Sequence, residues 1–567
     1  MFQKSENFKI LDLSFRGVLN SQDSRLIDKI FPEALKNFNL FLEDIVASNF
    51  LKREDLFLNF TSRNPFSCPL LDFFCKFELF KQKIMLGHQV NKIIVDSSSS
   101  EIYTSYIKDN QLSLKVIIKK KYKFRSQLLS NFFKIFSISS MLITLPKFFR
   151  FDKPRRKIVI LDTFITPVSF DNNGVYLDKY FTGFENFLDP VLLEDLWILP
   201  NFYDFKNPID LYKAYKNIKS SGRNFLVQDG FLSIKDILQS ILFSIKTPLR
   251  IVNFPEIENC NSKKLLRAII KEEVLSTNLF RAHLKYLFIK KIKNANIEVN
   301  LVISWFENQP KDRALCAGFK KFFSNVLIRG YQGFPVLPYY AGQQPTCYEN
   351  DLKVIPDEIH VISKLYVEDK KRVCEKLKIL VSPAYRYSYL HNLLLKDKPS
   401  EYKILVALPG IIEECIPIIE ICKLVKERLK NKVTFLLKIH PQYSIKSFRK
   451  KINFHPIDCF ELNSDPLHKT FKCISMLITS GSSIAVEAVS IGIPVAVCAN
   501  NNGVTLNFIP QRIKGIKWKV IYSPEELEIF INENQGLDHR DNKMSKTLFK
   551  PTSKIFSDNL FTIPTHF

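Results

Sequence analysis

Two apolar rhythms alternate along most of the chain. Short apolar runs bounded by small or polar residues read as buried strands, and in the first half they fall at 9–14, 92–95, 114–118, 157–161, 224–227, 249–253, 299–304 and 326–329. Longer stretches with helical spacing separate several of them, as at 233–245 and 262–273. The second half repeats the alternation in a shorter frame, with strands near 358–362, 378–381, 404–407, 434–439, 476–479, 494–497 and 519–521 and helices at 416–429 and 523–532. Strands alternating with helices predict an α/β fold with largely parallel sheets. A Pro- and Gly/Gln-rich passage at 333–345 lies between the halves and sets the expected boundary. The expected organisation is therefore a first Rossmann-like domain over 1–340, a second over 341–535, and a tail over 536–567. The tail is expected either to cross back onto the first domain or to be held loosely.

Several candidate chemical groups fall where this pattern ends its strands. The run 474–478 leads into Thr479-Ser480-Gly481-Ser482-Ser483 and then a helical segment containing Glu487. A turn of small residues at a helix start presents backbone N–H groups to an anion, with Gly481 allowing positive φ and Ser482 or Ser483 capping the helix. Glu487, one turn further in, is placed to accept hydrogen bonds from ribose hydroxyls. An ordinary strand-helix unit with a serine cap is the alternative reading. Upstream, Lys438 and His440 stand two apart at the end of a strand and so point the same way, until Pro441 stops it. Both signals lie at carboxyl ends of strands, where ligands bind in open sheets of this kind.

In the first half, Trp305-Phe306-Glu307-Asn308-Gln309 ends a strand, and a helix opens at Pro310 and includes Arg313. Gly330-Tyr331-Gln332 ends the next strand. Glu307 is the first candidate for a general base or acceptor-binding group, with helix capping as its alternative. Gln309, Arg313 and Gln332 are expected beside it on the cleft.

Composition adds limits. A chain of 567 residues with 46% hydrophobic content can bury more than one core. Its 11 Cys are scattered without a C-x-x-C pair, which favours reduced thiols and the cytoplasm. The first residues are polar and mixed, and no window offers twenty uncharged apolar residues, so neither a secretory signal nor a membrane span is expected. There is no D-x-D sequence, so chemistry without a metal or cofactor is expected. The net charge of +25 is uneven: 111–157 holds thirteen Lys and Arg against the single acid Asp152. Within it, 128–145 reads as an amphipathic helix with Asn131, Lys134, Ser137 and Thr144 near one face and Leu128, Leu129, Phe132, Phe133, Phe136 and Leu142 largely elsewhere. Such a helix suits the headgroup region of an anionic membrane, and a core helix with solvated flanks is the plainer alternative. No nucleic-acid-binding module accompanies the charge, so no nucleic acid is expected as a partner.

The pairing of Lys438-x-His440-Pro441 with Thr479-Ser480-Gly481-Ser482-Ser483-x3-Glu487-Ala488 and Gly492-x-Pro494 resembles the second domain of GT-B-fold glycosyltransferases. The likeness is nearest to the bacterial surface-carbohydrate group of capsule polymerases, polysialyltransferases and CDP-glycerol glycerophosphotransferases. Trp305-x-Glu307-Asn308-Gln309 and Gly330-Tyr331-Gln332 resemble elements of the same group, so the likeness spans about 299–528. It implies two Rossmann-like domains facing a cleft, a nucleotide-sugar donor held mainly by the second, and a glycan or lipid-linked acceptor approaching from the first. By carry-over, His440 contacts donor phosphate or assists the leaving group, Ser482 and Ser483 hold phosphates, Glu487 binds ribose and Lys438 adds positive charge. A peripheral place on the inner face of the plasma membrane would then involve 111–157. Related sequences commonly carry His after the Gly-Tyr-Gln element, where this chain has Gly333-Phe334. A glycerophosphotransferase, a nucleotide-sugar epimerase or a non-catalytic binding module on the same fold are the alternatives.

Overall fold

A computed structural model describes residues 10–561 apart from 65–67, 89, 120–123, 145–148, 150–151, 155, 172, 204, 206, 338–339, 394–400, 430–432, 453–459, 514–516, 537–543 and 554–558. Its named strands form three parallel sheets. The first is small, with β1 (Ile10–Asp12), β2 (Lys92–Asp96) and β3 (Lys115–Lys119) in that order. Helices Ser21–Ser48 and Pro69–Met85 pack together beside it through Phe38, Phe41 and Phe74, with ring centroids 5.4–5.8 Å apart.

The second sheet contains β4 (Ile158–Ile165), β5 (Leu196–Phe202), β6 (Val299–Trp305), β7 (Leu327–Gln332), β8 (Glu358–Val361) and β9 (Lys378–Val381) in the order β5-β4-β6-β7-β8-β9. The third contains β10 (Lys403–Ala407), β11 (Thr434–Lys438), β12 (Glu461–Leu462), β13 (Met476–Thr479), β14 (Val495–Cys498) and β15 (Trp518–Ile521) in the order β12-β11-β10-β13-β14-β15. That second order is the 3-2-1-4-5-6 winding of a Rossmann sheet, and the first is its 2-1-3-4-5-6 variant. Two Rossmann-like domains are thus present, and their central strands are buried on both faces, as helix-covered parallel strands must be. Each winding reverses once, between β4 and β6 and between β10 and β13. Chain leaving neighbouring strands at such a point diverges to opposite faces and opens a crevice.

Several expectations need correction. Strands β8 and β9, placed by sequence in the second half, extend the first large sheet through β7. The change of sheet therefore falls between Val381 and Lys403 rather than at 340/341, because the Pro-rich passage is a loop within one sheet. Segment 224–227 contributes only an isolated bridge from Phe225 to Ile198, and 249–253 overlaps the short 3-10 turn Pro248–Arg250. Strand β5 was hidden by Pro200, which an edge strand tolerates because one side of its backbone has no long ladder to fill. Cys347 and Cys374 form a disulfide, so the expectation of uniformly reduced thiols does not hold for that pair.

The tail crosses back. Lys550 exchanges backbone hydrogen bonds with Ile362 and Ala384, Phe561 stacks on Phe184, and Arg329 Nη1 donates to Leu560 O at 2.9 Å. Of the basic block, Lys120, Lys121, Lys123, Lys147, Arg150 and Arg155 lie outside the described residues. No described helix is long and apolar enough to cross a membrane.

Candidate active site

Residues leaving both reversal points meet in one cavity of ≈ 380 Å³, lined from the first domain by Trp305, Glu307 and Tyr340 and from the second by Gly481 and Ser483. Arg386 and Tyr387, on the 3-10 segment Tyr385–Asn392 that follows β9, close the side between them. A second cavity of ≈ 430 Å³ continues it, sharing Phe164, Tyr203, Glu307 and Tyr340 and adding Gln309, Lys311, Arg281 and Lys285. Glu307 stands at the junction.

Local chemistry sets how Glu307 is presented. Trp305 Nε1 donates to its Oε1 at 2.9 Å. Asp312, rather than Glu307, receives the backbone N–H groups of Glu307 and Gln309 at 3.0 Å each, and Gln309 is the N-cap of helix Pro310–Phe322. The capping alternative for Glu307 therefore falls away. Asn308 turns the chain at φ +58° and holds its amide between Arg313 Nε (3.1 Å) and Glu349 (3.2 Å).

Arg313 and Gln332 were expected on the cleft and lie beneath it. Arg313 is fully buried, donating to Leu56 O, Thr61 and Glu349, while Arg63 pairs with the same carboxylate at 2.8 Å. A guanidinium so enclosed needs every donor satisfied, which makes it a structural anchor between the 3-10 turns Arg53–Phe57 and Phe60–Ser62 and the first domain. Gln332 is also buried, its Nε2 donating to Gln343 O at 3.2 Å. Gly333 explains the missing His: a Cβ there would stand 2.3 Å from Tyr331 Cε1 and 2.5 Å from Trp305 Cζ3. Those rings fill the space a side chain would need.

On the second domain, Thr479 Oγ1 donates to Ala407 O at 2.8 Å, tying β13 to β10 at the reversal point. The helix that follows, Ile484–Ser490, has Ser483 as N-cap with no side-chain cap bond, so the expected serine cap is not made. Gly481 is not among the positive-φ glycines; its lack of a side chain matters because a Cβ would meet Glu414 Oε2 at 3.2 Å. Glu414 is buried beneath the turn with Oε2 unpaired among the described residues, and burial pushes its carboxyl up to about 7. Gly492, at φ +81°, ends the helix as its left-handed residue.

Glu487 is buried, and Tyr389 OH donates to its Oε2. Burial raises its proton affinity, opposed by that hydrogen bond and by the Arg386 charge. His440 accepts the Gln442 N–H on Nδ1 at 3.3 Å, and burial and Arg386 push its pKa down. A neutral ring that accepts on Nδ1 carries its proton on Nε2. Lys438 turns away: its Nζ donates to Asp465 O, and β10 lies between β11 and β13. The structure thus gathers Glu307, Gln309, Gly481 and Ser483 along the groove, with Ser480, Ser482 and Glu487 on the turn and helix behind. His440 stands near Arg386, and Lys438 lies apart.

Sequence reasoning passed over Arg386, Tyr389 and Lys311. Among the described residues Arg386 has no hydrogen bond or ion pair, and its guanidinium lies 5.9 Å from the Tyr387 ring centroid. The signal was present as Tyr385-Arg386-Tyr387-Ser388-Tyr389 just past a predicted strand. Lys311 Nζ sits 3.5 Å from the Phe164 ring centroid, and burial lowers its pKa.

The fold and site define a double-Rossmann α/β protein with an interdomain crevice. No family model matches the chain, and no curated protein matches it in sequence. Among solved structures it is similar to S. aureus MnaA with UDP, at 13% identity and TM-score 0.40 over 71% of this chain and 95% of that one. It is also similar to UDP-GlcNAc 2-epimerase from Neisseria meningitidis bound to UDP-GlcNAc (11%, TM-score 0.38, 72% and 98%). A third is the wall teichoic acid polymerase TagF (11%, TM-score 0.33, 77% and 97%). At these scores the likeness bears on neither substrate nor reaction.

Proposed function

We propose that the protein is a glycosyltransferase that moves a sugar from a nucleotide-activated donor to an acceptor hydroxyl across this groove. The observation that carries the reading is Arg386, which makes no hydrogen bond or ion pair among the described residues and lies in one cavity with Gly481, Ser483 and Glu307. A guanidinium beside the start of helix Ile484–Ser490 suits a diphosphate. Glu487, buried and steadied by Tyr389, has its Oε1 without a hydrogen bond among the described residues, which suits a ribose hydroxyl. In the reaction the acceptor hydroxyl loses its proton to Glu307 as its oxygen bonds to the anomeric carbon. The bond from that carbon to the donor phosphate oxygen breaks, and the nucleoside phosphate leaves with the electron pair. Arg386 and the Gly481–Ser483 backbone stabilise that charge, where a fixed donor in a water-poor cleft is most effective. His440 Nε2–H is the further donor for the leaving phosphate. Acceptors are glycans or lipid-linked glycans, and the site needs no metal.

The test is a thermal-shift screen against UDP, CMP, CDP, GDP and TDP, because a ligand that binds only the folded state raises its apparent stability. One nucleotide is expected to stabilise the wild type, with Glu487→Ala weakening the effect. Absence of any shift at millimolar nucleotide removes the reading. Conversion of a sugar nucleotide without acceptor replaces transfer by epimerisation.

A further inference from the structure

Helix Phe124–Thr144 keeps Lys134, Ser137 and Thr144 exposed, as its sequence pattern places them, but turns Asn131 inward. Asn131, Ile135 and Ser139 turn inward and are buried, whereas Leu129, Phe132, Phe133 and Phe136 stand 52–67% exposed at i, i+3, i+4 and i+7. A second helix, Ile234–Lys246, repeats the arrangement with Ile234, Leu238 and Leu242 at 52–57% exposure, while Ile237 is buried. The two helices share one small core, Ile135 and Ile237 packing with Phe280 and Leu284. Water therefore meets two adjacent apolar stripes, which a soluble surface rarely tolerates.

Charge selects the partner. The exposed charges on the described parts of the two helices are Lys134, Lys235 and Lys246; the one acid, Asp236, is buried and bonded to Ser233 and Lys291. An aromatic and aliphatic stripe interleaved with lysines fits the headgroup boundary of an anionic bilayer, where rings enter the acyl margin and ammonium groups reach lipid phosphate. The helix Phe124–Thr144 also reaches the site from its other side: Ile138, Met141 and Leu142 wall the cavity that holds Gln309, Lys311 and Arg281.

We propose that helices Phe124–Thr144 and Ile234–Lys246 form one face that docks on an anionic lipid bilayer, so that the acceptor half of the groove opens at the membrane surface. The acceptor is then an amphiphile with an anionic head, met by Lys311 and Arg281, and an apolar tail along Ile138, Met141 and Leu142. The docking stands on the exposed stripes and the lysines among them; the identity of the acceptor rests on the glycosyltransferase reading.

The experiment is co-sedimentation of the full chain with vesicles of phosphatidylcholine alone and with one-third phosphatidylglycerol, each at 50 and 500 mM salt. The wild type is expected to pellet with the anionic vesicles at low salt and at least ten-fold less with neutral ones or at high salt. Phe132→Ser/Phe133→Ser/Phe136→Ser and, separately, Leu238→Ser/Leu242→Ser are expected to lower recovery at least ten-fold. Each variant is checked for the wild-type nucleotide thermal shift, which separates lost docking from lost folding and from failure of the catalytic reading. A wild type that stays in the supernatant, variants that pellet like it, or stripes that instead drive self-association in sedimentation velocity overturn the proposal.

Discussion

Arg386→Ala removes one cation from the groove without removing a structural partner, since the guanidinium makes no ion pair or hydrogen bond among the described residues. Its loss should leave the fold near wild-type stability, within about 0.5 kcal/mol, as for surface changes away from buried networks. Ligand affinity should change much more. A guanidinium donating to a diphosphate contributes about 1.5–3 kcal/mol as a charge-assisted hydrogen bond, which converts to roughly 10- to 150-fold in Kd. The assay is calorimetric titration of the stabilising nucleoside diphosphate and of its parent nucleoside against wild type, Arg386→Ala and Arg386→Lys. Only the diphosphate should lose affinity, and the lysine variant should recover part of it as a point charge without the planar fork. Removal of Arg386 also removes a cation that lowers the proton affinity of His440, so the imidazole should titrate at higher pH in Arg386→Ala. Equal loss for nucleoside and diphosphate, or no loss for either, refutes the assignment of Arg386 to phosphate.

Glu307→Gln should abolish sugar transfer while leaving the nucleotide thermal shift intact, because the amide keeps the shape and loses the base; transfer at the wild-type rate contradicts this. Glu349→Ala strands Arg63 and Arg313 as buried charges and should cost about 3–5 kcal/mol in urea denaturation. Glu414 carries a folded-state pKa of about 7, above the ordinary 4.5, so its contribution to stability is present in full below pH 4.5 and is lost as pH rises through 7. Wild type should therefore lose up to about 3 kcal/mol relative to Glu414→Gln between pH 4.5 and 8, measured by parallel denaturant titrations. Gly333→His should lower Tm by several degrees without adding activity, because the Trp305 and Tyr331 rings occupy the space its side chain needs.

Most strands were legible because parallel strands buried on both faces leave unbroken apolar runs. β4, β6, β10, β13 and β14 all carry that mark. Sheet membership was not legible: β8 and β9 look like any other short buried strand, and their pairing to β7 is decided by contacts that leave no local trace. The Pro-rich passage before them misled for the same reason, since a loop inside a sheet and a linker between sheets share a composition. At the site, Glu307 and the Ser480–Ser483 turn were readable because strand ends are marked by the change from apolar to small or polar residues. Arg313 and Gln332 sit at equally marked ends, yet they were misplaced, because the decision between cleft and core depends on Glu349 and Gln343, far along the chain. Helix Phe124–Thr144 is a further case, in which periodicity located the apolar positions and only packing against Phe280 and Leu284 decided which of them faced water.

In the proposed reaction one nucleotide sugar lies across the two reversal points. A structure of the protein with the stabilising nucleoside diphosphate bound tests it directly. The diphosphate is predicted between Arg386 and the Gly481–Ser483 backbone, with the ribose against Glu487 and the β-phosphate directed toward Glu307. A nucleotide bound elsewhere, such as at the carboxyl end of the β1–β3 sheet, would rule this placement out, as would an empty groove at saturating nucleotide.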